Sequence, residues 1–358
     1  MLTAIRISLL TALFVSPSAF AFGKLCGDGD APVDLTRLNT QLHGRVDDYT
    51  ANHGQDRRID APSLGQRRDV YVYVPPGYDP AKRYPLIIWL HGLAQDESSF
   101  LHLIPALDQE IAAGNLPKCV IAAPDGTAHG KASLREPPSL YLNSPLGKFE
   151  DFIVLDVWNH VVSNYAIRKE RQAHVLAGAS MGAFGAYNLG IKHREDFGVV
   201  AGVLPPLNLR YADKWGRTDT DYNPETVAWQ NEYRPNATVA SFGRLGLVSV
   251  KQRQLIAPAF GEGPDVIARV SADNPAEMLE SRNVKPGELE MFAGYGQKDE
   301  FNFDAQTESF AAIARARGLT IQTVMVPNGK HDKATAARML PTFVEWIKPK
   351  LTAYAPKD

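Results

Sequence analysis

From about residue 68 onward, short apolar runs alternate with longer stretches of helical periodicity. Arg68 to Val74 is rich in β-branched and aromatic residues and is ended by Pro75-Pro76-Gly77, which predicts a strand and a turn. Pro85 to Leu90 and Cys119 to Ala123 are uninterrupted apolar runs, as in strands buried on both faces of a mainly parallel sheet. A helix is expected around Phe100 to Ala113 and another over 150–165, where Phe152, Ile153, Leu155, Val157, Trp158 and Val161 supply the apolar positions. The alternation continues with strands at Ala173 to Ala177 and Val199 to Leu204, separated by a helix that begins after Ser180. It resumes with strands at Leu289 to Ala293 and Thr320 to Val326, and helices near Ala305 to Arg317 and Lys333 to Lys348. Such alternation means crossover units, hence an α/β fold with a mainly parallel central sheet and helices on both faces. Leu35, Leu38 and Leu42 add a short amphipathic helix near the start. The stretch from about 207 to 288 breaks the pattern and is expected to be a lid-like insertion.

The first residues follow a different logic. Arg6, the apolar run from Ile7 to Val15 and the small-residue site Ala19-Phe20-Ala21 have the order of a secretory signal peptide. Residues 1–21 are therefore expected to be removed, leaving one domain over 22–358 that is secreted or periplasmic, with no membrane span after cleavage. Cys26 and Cys119 are the two cysteines of the chain, and in an oxidising compartment they form a candidate disulfide. A formal net charge of −2 without a basic stripe or cluster gives no call for a nucleic-acid partner, and none is expected. No spacing of histidines and carboxylates suggests a metal site, and no glycine-rich phosphate loop suggests a nucleotide, so no cofactor is expected.

The chemistry is expected at the ends of the strands. Gly178-Ala179-Ser180-Met181-Gly182 fits the GxSxG pattern and falls between a predicted strand and a predicted helix. A turn that tight needs small residues on both flanks of the serine, and it lifts the hydroxyl above the sheet edge. A serine hydroxyl is a poor nucleophile without a base, so a carboxylate and a histidine should follow in that order. Only His193 and His331 lie after Ser180. His193 falls at the end of the helix that the serine starts, whereas His331 follows the last strand in a loop at the sheet edge. The acid is expected in the turn after the strand at 289–293, where Asp299 is chosen over Glu300, and Asp304 is read as a helix cap. Two backbone amides, of Leu93 after His91-Gly92 and of Met181 at the helix start, are the expected oxyanion donors. His91 itself is read as a residue that holds its loop.

These pieces carry a family resemblance. Val72-Tyr73-Val74-Pro75-Pro76-Gly77-Tyr78, Leu90-His91-Gly92-Leu93, Pro124-Asp125-Gly126, Lys148 to Ile153, Ala177 to Ala183, Gly296 to Asp299 and Asn328 to Asp332 occur in one order over most of the chain. The set resembles the esterase family that includes feruloyl esterases, S-formylglutathione hydrolases and the antigen 85 mycolyltransferases. The resemblance implies an α/β-hydrolase fold and a serine carboxylic-ester hydrolase of feruloyl- or acetyl-esterase type, with Ser180, Asp299 and His331 as the triad and the Leu93 and Met181 amides as the oxyanion hole. The implied partner is a small-molecule or carbohydrate-linked ester. An acyltransferase on the same triad, or a silent hydrolase-like binding protein, are the alternatives. The stretch 207–288 departs from the family pattern, and its Trp229 and Tyr233 are expected to wall the substrate pocket.

Overall fold

The computed structural model describes residues 33–242 and 248–357. The expected signal peptide and Cys26 lie outside these residues, while Cys119 is fully buried. Eight strands form the central sheet: β1 (Arg45–Tyr49), β2 (Val70–Val74), β3 (Leu86–Leu90), β4 (Val120–Pro124), β5 (His174–Ala179), β6 (Val199–Val203), β7 (Glu290–Gly296) and β8 (Ile321–Val326). Their spatial order is β1-β2-β4-β3-β5-β6-β7-β8. β2 runs antiparallel to both β1 and β4, and every other pairing is parallel.

Residue alternation along the strands explains why the apolar runs are continuous. Val70, Val72 and Val74 of β2 belong to one buried cluster, while Tyr71 and Tyr73 belong to another. β3 repeats this, with Leu86, Ile88 and Leu90 on one face and Ile87 on the other. Both faces are therefore core, and a polar residue at either parity would be buried. The first face is covered by the Met181–Lys192 helix (Phe184, Tyr187, Leu189) and by Phe152, Ile153 and Val157, which belong to a π-helical stretch inside the helix expected at 150–165. The second face is covered by the Phe100–Ala112 and Lys333–Thr352 helices, through Phe100, Ile104, Ile111, Val344 and Ile347. Each such side chain contributes about 1.5–3 kcal/mol by leaving water.

The segment expected to break the pattern does so. Between β6 and β7 it forms a hairpin of Tyr211–Asp213 with Val227–Trp229, a second hairpin of Thr238–Phe242 with Val248–Lys251, and the helices Gln252–Phe260, Val266–Asp273 and Pro275–Ser281. Buried amides fasten it to the sheet domain. Asn274 donates to Asn208 Oδ1 (3.1 Å) and accepts from the Leu209 N–H (2.9 Å), and Asn208 donates to Ser309 Oγ (2.7 Å). Within the insertion itself, Arg210 forms an ion pair with Glu277 at 2.6 Å. No helix among the described residues is long and apolar enough to cross a membrane.

β1 has no counterpart in the sequence-based expectations. Only Val46 of its five residues is buried, so neither period stands out. Its position is set instead by Asp108 on the Phe100–Ala112 helix. Asp108 Oδ2 accepts the His43 N–H and faces His43 Nδ1, both at 2.9 Å, while Oδ1 accepts the Gly44 N–H (2.8 Å) and the Tyr73 hydroxyl (2.7 Å). Asp108→Ala leaves those donors without their acceptor, and unsatisfied buried groups cost about 1–3 kcal/mol each. Chemical denaturation is expected to show a loss on the order of 3 kcal/mol, and a loss within error would remove Asp108 as the anchor of β1.

Candidate active site

The Ser180 turn is dictated by packing. β5 passes directly into the Met181–Lys192 helix, and Ser180 between them adopts φ 53° and ψ −117°, a conformation that costs a non-glycine residue of order 1–3 kcal/mol. The Ser180 N–H donates to the Val203 carbonyl of β6 (2.9 Å), and the Ser180 carbonyl accepts the Phe184 N–H (3.0 Å). A Cβ on Gly178 would lie 2.6 Å from the Leu90 carbonyl oxygen, and one on Gly182 would collide with the same oxygen. The two glycines of the motif are therefore what lets the helix start against β3.

Two other loops converge on the serine. β8 ends at Val326, and the following loop is tied to the loop after β7 by Lys298 N–H donating to the Gly329 carbonyl (2.7 Å) and Asn328 N–H donating to Gln297 Oε1 (3.0 Å). His331, 4% exposed, then places Nε2 2.9 Å from Ser180 Oγ and Nδ1 2.7 Å from Asp299 Oδ2. Asp299 Oδ1 accepts the Phe301 N–H at 2.9 Å. With a carboxylate at Nδ1, the neutral ring carries its proton there, and Nε2 is left as the acceptor toward the serine. Glu300, the rival carboxylate, turns elsewhere and accepts the His331 backbone N–H at 3.0 Å. Phe301 and Phe303 present T-shaped contacts to the imidazole, with centroids 4.9 and 5.2 Å away. His193, the other downstream histidine, pairs with Glu150 at 2.9 Å at the far end of the helix.

The loop after β3 is held by side chains. The Gly126 N–H donates to His91 Nε2 (2.8 Å), so His91 Nδ1 carries the proton and donates to the Gly92 carbonyl (2.9 Å). The Tyr141 hydroxyl donates to the His91 carbonyl (3.1 Å), and the Gly92 N–H donates to Gln95 Oε1 (2.9 Å). A buried Arg68–Asp125 pair at 2.8 Å braces the strand end that carries Gly126. Burial alone would raise the Asp125 carboxyl, but the Arg68 guanidinium and the hydrogen bond from the Thr127 N–H hold it below the ordinary carboxylate value. Leu93 and Met181, whose amides were expected as oxyanion donors, both line the cleft beside Ser180. Met181 is the first helical residue, so its N–H has no acceptor within the helix.

The cleft has a volume of about 560 Å³. The sheet domain contributes Leu93, Leu140, Phe301 and Phe303 to its lining, and the insertion contributes residues such as Leu209, Gln230, Arg234, Leu255 and Ile256. Trp229 and Tyr233 are not among its lining residues, which corrects the expectation placed on them. Trp229 is 38% exposed with the Arg210 guanidinium 5.8 Å from its ring centroid, and Tyr233 packs onto the core. Their neighbours Gln230 and Arg234 reach the cleft instead, so aromatic character pointed to the correct segment but the wrong side chains. Gln95, Phe301 and Phe303 were not anticipated. The two phenylalanines lie two and four residues after the acid in sequence, whereas nothing marked Gln95 in advance.

Residues 61–352 match the model of the Esterase family. The chain belongs to that family. Among curated family relatives, Esterase Rv1288 of Mycobacterium tuberculosis is 25% identical over 281 residues, covering 77% of this chain and 53% of the relative. The chain thus spans about half the length of the curated relatives it matches. Similar solved structures include a ferulic acid esterase (TM-score 0.60, 18% identity, 87% of this chain and 99% of that chain). An S-formylglutathione hydrolase from Agrobacterium tumefaciens gives a TM-score of 0.59 at 15% identity, over 87% of this chain and 96% of that one. The feruloyl esterase module from Clostridium thermocellum, complexed with sinapinate, gives 0.53 at 16% identity, over 96% and 99%. These likenesses establish the α/β-hydrolase fold of this esterase-family chain.

One carboxyl near the site is held against its ordinary ionisation. Asp304 was expected to cap the helix, but the Phe303–Ala316 helix is entered through Asn302, at φ 59°. Asn302 Nδ2 donates to the Thr218 and Thr220 carbonyls of the insertion. Asp304 instead lies in the first turn, and its Oδ1 is buried with no partner among the described residues. Burial, with smaller effects from the Asp299 and Glu308 charges, pushes its carboxyl up to about 7. A carboxyl whose pKa is raised on folding leaves stability intact below its unfolded value near 4 and lowers it as pH climbs to about 7, after which the loss is constant. Asp304→Asn is therefore expected to match the parent in melting temperature near pH 4 and to gain on it steadily up to about pH 7. A difference that does not change with pH would contradict the raised value.

Proposed function

We propose that the chain is a serine carboxylic-ester hydrolase that works through an acyl-enzyme. The observation that carries this reading is the continuous hydrogen-bonded series from Ser180 through His331 to Asp299 in the wall of an open cleft. In the proposed reaction, His331 Nε2 takes the proton of Ser180 Oγ as that oxygen attacks the ester carbonyl carbon. The carbonyl oxygen becomes an oxyanion and accepts the Leu93 and Met181 N–H groups. Collapse breaks the bond to the alcohol oxygen, and the proton held on Nε2 goes to the departing alcohol. Water then repeats the sequence in place of the serine, releasing the acid and restoring Oγ–H. Asp299 holds the imidazole in the required tautomer and stabilises it while it is charged.

The cleft volume of about 560 Å³ and the apolar side chains that both the sheet domain and the insertion bring to the lining support an acyl group larger than acetyl. Feruloyl-type and other aryl-acyl esters, free or linked to carbohydrate, are the proposed substrates, in keeping with the names of the structurally similar esterases. The leader-like order of Arg6, the apolar run and Ala19-Phe20-Ala21 supports action outside the cytoplasm. N-terminal sequencing of exported protein should then begin near Phe22, and retained Met1 would oppose it.

Ser180→Ala is expected to lower kcat on activated aryl esters by on the order of 10⁴-fold with the fold intact. Near-parental rates in a folded variant would end the assignment. Asp299→Asn should cost about 10²–10⁴-fold in kcat, and Glu300→Gln distinctly less, because Glu300 meets the backbone of His331 and not its ring. The reverse ranking would transfer the acid role to Glu300.

A further inference from the structure

Gln95 is a polar side chain at the nucleophile that the proposed reaction leaves unused. It lines the cleft together with Ser180, Leu93 and Met181. Its side-chain oxygen accepts the Gly92 N–H at 2.9 Å, and its own N–H returns to the Gly92 carbonyl at 3.3 Å. Between these partners Ala94 is held at φ 58°, a conformation that a side-chain clamp across the turn can maintain. The clamp lies close to the reacting group. A single point, the position a Cβ would take on Gly92, is 3.1 Å from Gln95 Oε1 and 3.5 Å from the Ser180 Cβ.

The hydrogen-bond accounting of this loop then leaves a specific remainder. The His91 carbonyl, the Gly92 N–H and the Gly92 carbonyl all have partners. Because an N–H faces the Gln95 amide at Gly92, the atom there is the oxygen, and the NH2 group is turned the other way. No described residue accepts from it. The loop therefore offers the cleft two donors, the Leu93 N–H and Gln95 Nε2. We infer that Gln95 is a further catalytic residue, whose Nε2 donates to the carbonyl oxygen of the bound ester as that oxygen becomes negative, while its Oε1 fixes the loop that presents the Leu93 amide. This rests on the esterase reading above and adds a side-chain donor to two backbone ones. A side-chain amide aimed in advance at the developing charge stabilises the transition state more than the ester.

The test uses the intact protein and an aryl ester whose hydrolysis is abolished by Ser180→Ala, so that failure of the esterase reading shows itself separately. Gln95→Met keeps the length of the side chain and removes both donor and acceptor. Gln95→Glu keeps the acceptor for the Gly92 N–H, and so preserves the loop, but removes the donor. Both are expected to lower kcat by on the order of 10² with KM little changed, since one oxyanion donor is worth about 10²–10³ in kcat. Both should also weaken binding of a reversible arylboronic acid, which places an oxygen in the same position, by a comparable factor. As the pH is lowered from about 8 to 5, the rate of Gln95→Glu relative to the parent should climb, because a protonated carboxyl donates again. Parental kcat in Gln95→Glu would reduce Gln95 to a loop clamp and overturn the inference. So would a rise in KM alone, or undiminished boronate affinity in both variants. If Gln95→Met does not fold, Gln95→Glu decides the matter.

Discussion

The close approach of β3, β5 and the helix after Ser180 is the constraint on which the rest of the site depends. The Leu90 carbonyl occupies the space that a side chain on Gly182 would need, and it leaves none on Gly178. Only glycines allow the chain to turn there, and the turn forces Ser180 to φ 53°. Its energy is small beside the buried clusters on the two faces of the sheet, which hold β3, β5 and β6 in register whatever the turn requires. The strain persists because the surroundings over-determine it. The resulting nucleophile is presented by rigid elements, not by a mobile loop.

From that fixed point the remaining groups are placed by loops that brace one another. The β7 and β8 loops exchange backbone hydrogen bonds through Lys298 and Gly329, so Asp299 and His331 arrive as a unit. Glu300 completes the pair of loops by accepting the His331 N–H. In the β3 loop, His91, Tyr141 and Gln95 engage the polar groups of His91 and Gly92, and the Leu93 N–H is left without a protein partner among the described residues. Low exposure of Asp299 and His331 keeps water from competing for their hydrogen bond, and electrostatic contacts in such a setting are stronger than in solvent. The insertion adds shape: its hairpins and the Gln252–Phe260 helix contribute to the cleft lining while leaving the reacting groups to the sheet domain.

Much of this could be read from the chain itself, and the reasons are physical. Strands buried on both faces leave unbroken apolar runs, so β2 to β8 were anticipated, with ends shifted by a few residues. Ser180, Asp299 and His331 stood out because their chemistry demands a fixed order at strand ends, and the structure brings all three together. β1 was invisible because Val46 is its one buried residue and Asp108, distant in sequence, fixes it. Trp229 and Tyr233 misled because aromatic character reports burial or contact in general and not the side of a hairpin. Gln95 gave no signal, since an amide three residues beyond a glycine acquires meaning only when the loop closes on itself. Cys26, the expected partner of Cys119, lies outside the described residues.

The central claim is that Ser180 carries the acyl group between the two halves of the reaction. Rapid-quench kinetics with a chromogenic aryl ester, followed by peptide mapping of the quenched protein, reads this directly. The account predicts a burst of alcohol stoichiometric with enzyme when deacylation is slow, with the acyl mass on the peptide containing Ser180 and absent in Ser180→Ala. Sustained turnover with no acyl mass on the protein, or with the mass on another residue, would contradict it.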